Sequence, residues 1–177
     1  MALADIDHDG LLEIVTSNQT TVPSRPYAIA VNKNLGNRTF TKPYTALTFS
    51  MISDFAIGDL NNDQIPDLII TRPPGMIEIS LGTGEFFANS LELEVGGGLQ
   101  HVKLADVNGD GKLDAIVADC DSQSVGILLG QGDGTFGSLT RTLEAGCGAI
   151  AVDDLDRDGH PDIVATNEQG HRQIAAR

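Results

Sequence analysis

One acidic nine-residue segment occurs four times in this chain, and each copy runs straight into a stretch rich in Ile and Val. The copies are DIDHDGLLE (5–13), DLNNDQIPD (59–67), DVNGDGKLD (106–114) and DLDRDGHPD (154–162), with first aspartates 54, 47 and 48 residues apart. Self-similarity at such a period marks a repeat architecture and constrains the fold more than any local feature does.

The flanks of the four loops repeat as well. Upstream lie MALAD (1–5), FAIGD (55–59), VKLAD (102–106) and IAVDD (150–154), each alternating apolar with small or polar residues, as a strand does. Downstream come EIVTSN, DLIITR, DAIVAD and DIVATN, β-branched and without helical period. Each loop therefore joins two strands in a hairpin. At a nearly constant offset follow AVNKNLGNRTF (30–40), EISLGTGEFF (78–87) and GILLGQGDGTF (126–136). These read as a third strand, a Gly-rich turn and a Phe that starts a fourth strand. The unit is thus four short antiparallel strands in about fifty residues. A single such sheet cannot bury its faces, and radial stacking of four-stranded sheets is the β-propeller solution.

The sequence accordingly predicts an all-β chain of β-propeller-type blades, partial at about 3.5–4 blades, in one repeat region over 1–177. The repeats run over roughly 1–50, 51–97, 98–146 and 147–177, the last truncated in its outer strand. TVPSRP (21–26), with two prolines, reads as a surface insertion in the first repeat. With six Phe, two Tyr and no Trp, the core must be mainly aliphatic. The chain starts only four residues ahead of its first loop, and too few blades are present for a usual ring, so we expect part of a larger protein. Exposed apolar faces on the terminal sheets would then favour self-association.

The charge points to a ligand class. Fourteen of the 25 Asp and Glu fall in the four loops, in a chain whose net charge is −14. Four divalent cations would bring that to −6 and relieve much of the self-repulsion. No Lys/Arg cluster or basic stripe is present, which argues against nucleic acid as a partner. No apolar run approaches the ~20 residues of a membrane-spanning helix, and MALADIDHDG has neither the basic start nor the apolar run of a signal peptide.

A hard cation such as calcium takes about six to eight oxygens at ~2.3–2.6 Å. Side chains at positions 1, 3 and 5 of a tight turn can supply them, with the carbonyl at position 7 and a carboxylate at position 9. Loop 1 offers Asp5, Asp7, Asp9, the carbonyl of Leu11, and Glu13; loop 2 offers Asp59, Asn61, Asp63, the carbonyl of Ile65, and Asp67. Loop 3 offers Asp106, Asn108, Asp110, the carbonyl of Lys112, and Asp114; loop 4 offers Asp154, Asp156, Asp158, the carbonyl of His160, and Asp162. A Gly at position 6 permits the positive φ that such a turn needs. Loop 2 has Gln64 there, at a cost of roughly 1–2 kcal/mol, which predicts weaker binding or a distorted loop. Glu13 is one methylene longer than the Asp found at position 9 elsewhere. An EF-hand is excluded, since position 12 holds Thr16, Ile70, Val117 and Ala165 rather than a carboxylate. Magnesium, which demands strict octahedral geometry, would fit less well. The alternative, that the acids merely solvate tight turns, is weakened by four copies in phase with identical strand flanks.

These residues resemble the FG-GAP/VCBS repeat, the blade unit of integrin α-subunit propellers and of many bacterial surface proteins. FAIGDLNNDQIPDLIITRPPG (55–75) is similar to the integrin form, and DVNGDGKLDAIVAD (106–119) with ILLGQGDGTF (127–136) to the bacterial form. The resemblance covers nearly the whole chain. It implies up to four Ca2+ in the hairpins between first and second strands, each rigidifying its blade. The family usually closes seven blades.

The expected function is a secreted or cell-surface, calcium-binding module that recognises a protein or glycan without catalysis. An accessory domain of a secreted polysaccharide-acting enzyme, or a lectin, is the alternative. No nucleophile elbow, zinc His cluster or phosphate-binding Gly loop is present. His8 and His160 lie in loops with side chains expected to face solvent, His101 opens a strand, and His171 lies in the tail. A sugar site built on stacked aromatics is poorly supplied here. Cys120 and Cys147 leave both a single bridge and two unpaired thiols open. Asn18 and Asn37 stand in N-x-T sequons, which matter only in a eukaryotic secretory pathway.

Overall fold

The computed structural model describes residues 1–143, 147–166 and 172–175. Among these residues no helix occurs, and fifteen strands form four separate antiparallel sheets, each in chain order. The first sheet is β1 (Ala2–Ala4), β2 (Glu13–Gln19), β3 (Tyr27–Asn32) and β4 (Tyr44–Phe49). The second is β5 (Asp54–Gly58), β6 (Asp67–Arg72), β7 (Met76–Gly82) and β8 (Phe87–Glu94). The third is β9 (Leu99–Ala105), β10 (Asp114–Asp119), β11 (Ser124–Leu128) and β12 (Thr140–Leu143). The fourth has β13 (Ile150–Asp153), β14 (Asp162–Thr166) and β15 (Arg172–Ala175). This all-β architecture is a partial propeller, each sheet a blade.

The period-2 alternation of each second strand decides how the blades stack. Leu68 and Ile70 of β6 face the first blade, in a core with Val15, Ile29, Val31, Phe49 and Phe55. Ile69, between them, faces the third blade with Ile77, Ile79, Leu99, Val102 and Leu128. In β10 the pattern repeats: Ala115 and Val117 join that second core, while Ile116 and Ala118 pack on Ile150, Ile163 and Ala165 of the fourth blade. A strand buried on both faces reads as a continuous apolar run, which explains why DLIITR and DAIVAD lack alternation. The cores are aliphatic apart from a few Phe, as the composition requires.

Several local expectations need correction. Phe87 does start the fourth strand of its blade, but Phe40 and Phe136 form isolated bridges to Asn34 and Gly130, and β4 and β12 begin a few residues later. His101 is the third residue of β9, not its first, and its Nδ1 lies 3.4 Å from Asp54 Oδ2 of the neighbouring blade. His171 lies outside the described residues. The TVPSRP segment is the exposed connection between β2 and β3. The outer face of the first sheet carries Leu3, Ile14, Ala28 and Ala30 together with Thr16, Asn18 and Asn32. Cys120, after β10, is bridged to Cys147, ahead of β13, tying the third blade to the fourth. Among the described residues no helix is long and apolar enough to cross a membrane.

Candidate metal centres

All four acidic loops close in the same register. The residue before each loop pairs with position 9: Ala4 with Glu13, Gly58 with Asp67, Ala105 with Asp114, and Asp153 with Asp162. Position 9 is therefore the first residue of the second strand and points inward, where Glu13, Asp67, Asp114 and Asp162 are at most 4% exposed.

Within each loop the acids organise the backbone. The position-1 carboxylate accepts the N–H groups of positions 5 and 6: Asp5 from Asp9 and Gly10, Asp59 from Asp63 and Gln64, Asp106 from Asp110 and Gly111, Asp154 from Asp158 and Gly159, all at 2.7–3.1 Å. Position 5 accepts the N–H of position 7, so Asp9, Asp63, Asp110 and Asp158 fix Leu11, Ile65, Lys112 and His160 at 2.8–3.0 Å. The Gly111 amide, first among several, holds the Asp106 carboxyl below its ordinary value.

The loops need two left-handed residues each, not one. Position 6 has φ of +84° at Gly10, +70° at Gln64, +81° at Gly111 and +92° at Gly159. Position 4 is also left-handed, at His8, Asn62, Gly109 and Arg157. Sequence reasoning missed this because only one of the four is Gly. Loop 2 is not distorted: Gln64 takes the strained φ and keeps every hydrogen bond of the pattern. His8 and His160 are exposed.

The position-9 carboxylate has a second task that the spacing did not reveal. One oxygen accepts the position-2 amide: Ile6 on Glu13, Leu60 on Asp67, Val107 on Asp114, Leu155 on Asp162, at 2.8–3.0 Å. The other reaches the residue where the third strand gives way to its turn: Gly82 on Asp67 at 2.7 Å and Gly130 on Asp114 at 2.8 Å. The recurring Gly after the third strand was the available signal. A Cβ there would come within 2.3 Å of the Pro66 oxygen or 2.1 Å of the Leu113 oxygen. Burial still raises the Asp67 and Asp114 carboxyls, against the lowering effect of these amides.

The acids also converge. Oxygens of Asp5, Asp7 and Glu13 lie within 4.8 Å of one another, as do those of Asp154, Asp156 and Asp162. In loops 2 and 3 an amide, Asn61 or Asn108, replaces the acid at position 3. Asp7 Oδ1 is buried without a hydrogen-bond partner. An all-oxygen donor set with an unpartnered buried carboxylate oxygen suits a hard metal ion, so these clusters could bind one.

No curated protein matches the sequence. A lectin of Agrocybe aegerita, solved for its specific recognition of non-reducing terminal N-acetylglucosamine, superposes with a TM-score of 0.67 at 22% identity. The match covers 98% of this chain and 51% of the lectin chain, so this chain spans about half its length. At that identity the likeness shows the fold alone. The FG-GAP-like repeat, by contrast, matches three times, over residues 5–70, 59–117 and 106–165, each match running from one acidic loop through the next. Those matches take in all four loops and the strands they join, and the chain belongs to the FG-GAP-like repeat family.

Proposed function

We propose that the chain is a calcium-stabilised, non-catalytic recognition module that works outside the cell, built from four repeats bounded near 50, 97 and 146. The observation that carries this reading is one loop hydrogen-bond network repeated four times, with three acids brought within 4.8 Å of one another in loops 1 and 4. Asp5, Asp7, Asp9 and Glu13 would hold calcium in loop 1, and Asp59, Asn61, Asp63 and Asp67 in loop 2. Asp106, Asn108, Asp110 and Asp114 would serve loop 3, and Asp154, Asp156, Asp158 and Asp162 loop 4. The carbonyls of Leu11, Ile65, Lys112 and His160 would complete the sets. Bound calcium supplies charge balance and rigidity, and each site adds RT ln(1 + [L]/Kd) to stability.

The Cys120–Cys147 bridge supports an oxidising compartment, where millimolar calcium suits sites of modest affinity. The dense carboxylates are engaged by backbone amides, which supports a structural role rather than acid–base chemistry. A glycan ligand is favoured over a protein by the fold shared with the N-acetylglucosamine-binding lectin.

Thermal unfolding in EDTA and in millimolar calcium tests the metal. A calcium-dependent rise in Tm, reduced by Asp106→Ala with Asp110→Ala, is expected; no shift at any calcium concentration sinks the reading. A glycan array including terminal N-acetylglucosamine tests the ligand class, and a blank array with the calcium-loaded protein removes the glycan arm.

A further inference from the structure

Loop 1 differs from the other three at its third position. Asp7 Oδ2 is ion-paired with the Lys33 ammonium, and Oδ1 has no hydrogen-bond partner. In loops 2, 3 and 4 the corresponding oxygen of Asn61, Asn108 or Asp156 accepts the position-5 amide, at 3.1, 2.9 and 3.1 Å. Asp7 thus lacks the turn bond made in the other loops and pairs with Lys33, while keeping an oxygen within 4.8 Å of Asp5 and Glu13. The place of Lys33, one residue before the end of the third-strand ladder, is held by Leu81 and Leu129 in the next two blades. Lys112 reaches Asp110 at 3.8 Å in loop 3, but there both turn bonds stay in place.

Loop 1 is also less covered than loop 2. The turn of the third blade spans Gly130 to Phe136, and its Gly134 amide bonds the Leu60 carbonyl of loop 2 at 2.9 Å. In the second blade Gly82 pairs directly with Phe87, a turn one residue shorter. Above loop 1 that shorter turn leaves a pocket of about 390 Å³, lined by Asp7, Asp9, Glu13, Lys33, Tyr44 and Phe86 among others.

We propose that Lys33 is the resident counter-ion of loop 1, and that loop 1 is the weakest and most readily exchanged of the four calcium sites. This rests on the calcium reading above. A fixed ammonium on a ligand carboxylate repels an incoming dication and holds the loop in shape when calcium is scarce. The ranking reverses the one suggested by Gln64, which places loop 2 last.

Terbium ion is a suitable probe, because the chain has no Trp and two Tyr, of which only Tyr44 lines the loop 1 pocket. Tyr27 pairs with Gln19, at the far end of β2 from Glu13. Tyrosine-sensitised emission therefore reports loop 1, Tyr44→Phe supplies the blank, and the terbium-dependent rise in Tm reports the other loops. In the wild type, emission should half-saturate well above the midpoint of the Tm rise. Lys33→Leu, the residue type the other blades use, should shift the emission midpoint roughly tenfold lower, while Lys33→Arg keeps it high. An unchanged or higher midpoint in Lys33→Leu, with the Tm rise intact, overturns this inference and leaves the calcium reading standing. Neither emission nor a Tm shift would end both.

Discussion

Glu13 and Asn34 are fitted to one another across the end of the first blade. The Asn34 amide donates to Glu13 Oε1 at 3.3 Å, and the Asn34 side-chain amide donates to the Leu12 carbonyl at 3.1 Å. The second and third blades place Asp and Gly at these two positions, with the glycine pressed against the Pro66 or Leu113 carbonyl. A residue with a Cβ must stand further from the loop, and the extra methylene of Glu spans the added distance.

That matching predicts non-additivity. Glu13→Asp alone should cost about 1–2 kcal/mol, because one of its two buried amides loses its acceptor. Adding Asn34→Gly should recover much of the loss, giving a coupling of at least about 0.5 kcal/mol in a double-mutant cycle. Denaturant melts in EDTA measure it, and strictly additive losses would show that the two positions are independent.

The carboxylate at position 9 should matter without any metal. Asp114→Ala leaves the Val107 and Gly130 amides buried and unpaired, which should cost about 2–4 kcal/mol. The comparison of interest is with Asp110→Ala, whose exposed side chain accepts the Lys112 amide and lies 3.8 Å from the Lys112 ammonium. In EDTA the first substitution should lower Tm far more than the second. Equal effects would mean that position 9 acts through metal alone.

Much of this architecture is legible in the sequence because the repeat supplies its own alignment. Four copies of the loop fix the hairpin, and the β-branched runs after them, apolar on both faces, already imply sheets covered on both sides. What escaped reading depends on geometry across strands. Left-handed φ at position 4 is hidden when His8, Asn62 and Arg157 occupy it, since polar side chains tolerate that region well enough to be used. Lys33 looks like an ordinary strand-end lysine until the register places it beside Asp7. The Cys120–Cys147 bridge could not be read from two cysteines, because only the stacking of third on fourth blade brings them together.

Gln64 offers a direct test of loop strain. It sits at φ +70° with the loop network complete, so the strain falls on the folded state and not on ligand placement. Gln64→Gly should stabilise the protein by about 0.5–1 kcal/mol, the left-handed penalty less the greater chain entropy of Gly. Calcium affinity should change little, since the loop is already formed. A large gain in affinity without a gain in stability would show that Gln64 distorts the site instead.

Glu78 should leave a mark on the pH profile. It is 8% exposed, and burial raises its carboxyl above the ordinary value despite Arg72 at 3.0 Å, a guanidinium that it shares with Glu92. The folded protein therefore holds this proton more tightly than the unfolded chain does. Its stabilising contribution is complete below the unfolded pKa and is lost as pH rises through the folded one. Glu78→Gln removes that slope, so its Tm relative to wild type should be higher at pH 7 than at pH 4, both in EDTA. A flat or inverted difference would mean that pairing with Arg72 outweighs burial.

The Cys120–Cys147 bridge closes a loop 27 residues long and should hold the fourth blade on the third. The chain-entropy model assigns about 3.5 kcal/mol to a loop of that length. The fourth blade is three-stranded within the described residues, and it buries Ile150, Ile163 and Ala165 against a single neighbour. Reduction should therefore act locally before it acts globally. Hydrogen exchange after treatment with a thiol reductant should lose protection first in β13 and β14, while β6 and β10, buried on both faces, stay protected. Uniform loss across all four sheets would show that the blades unfold as one cooperative unit and that the bridge stabilises the whole.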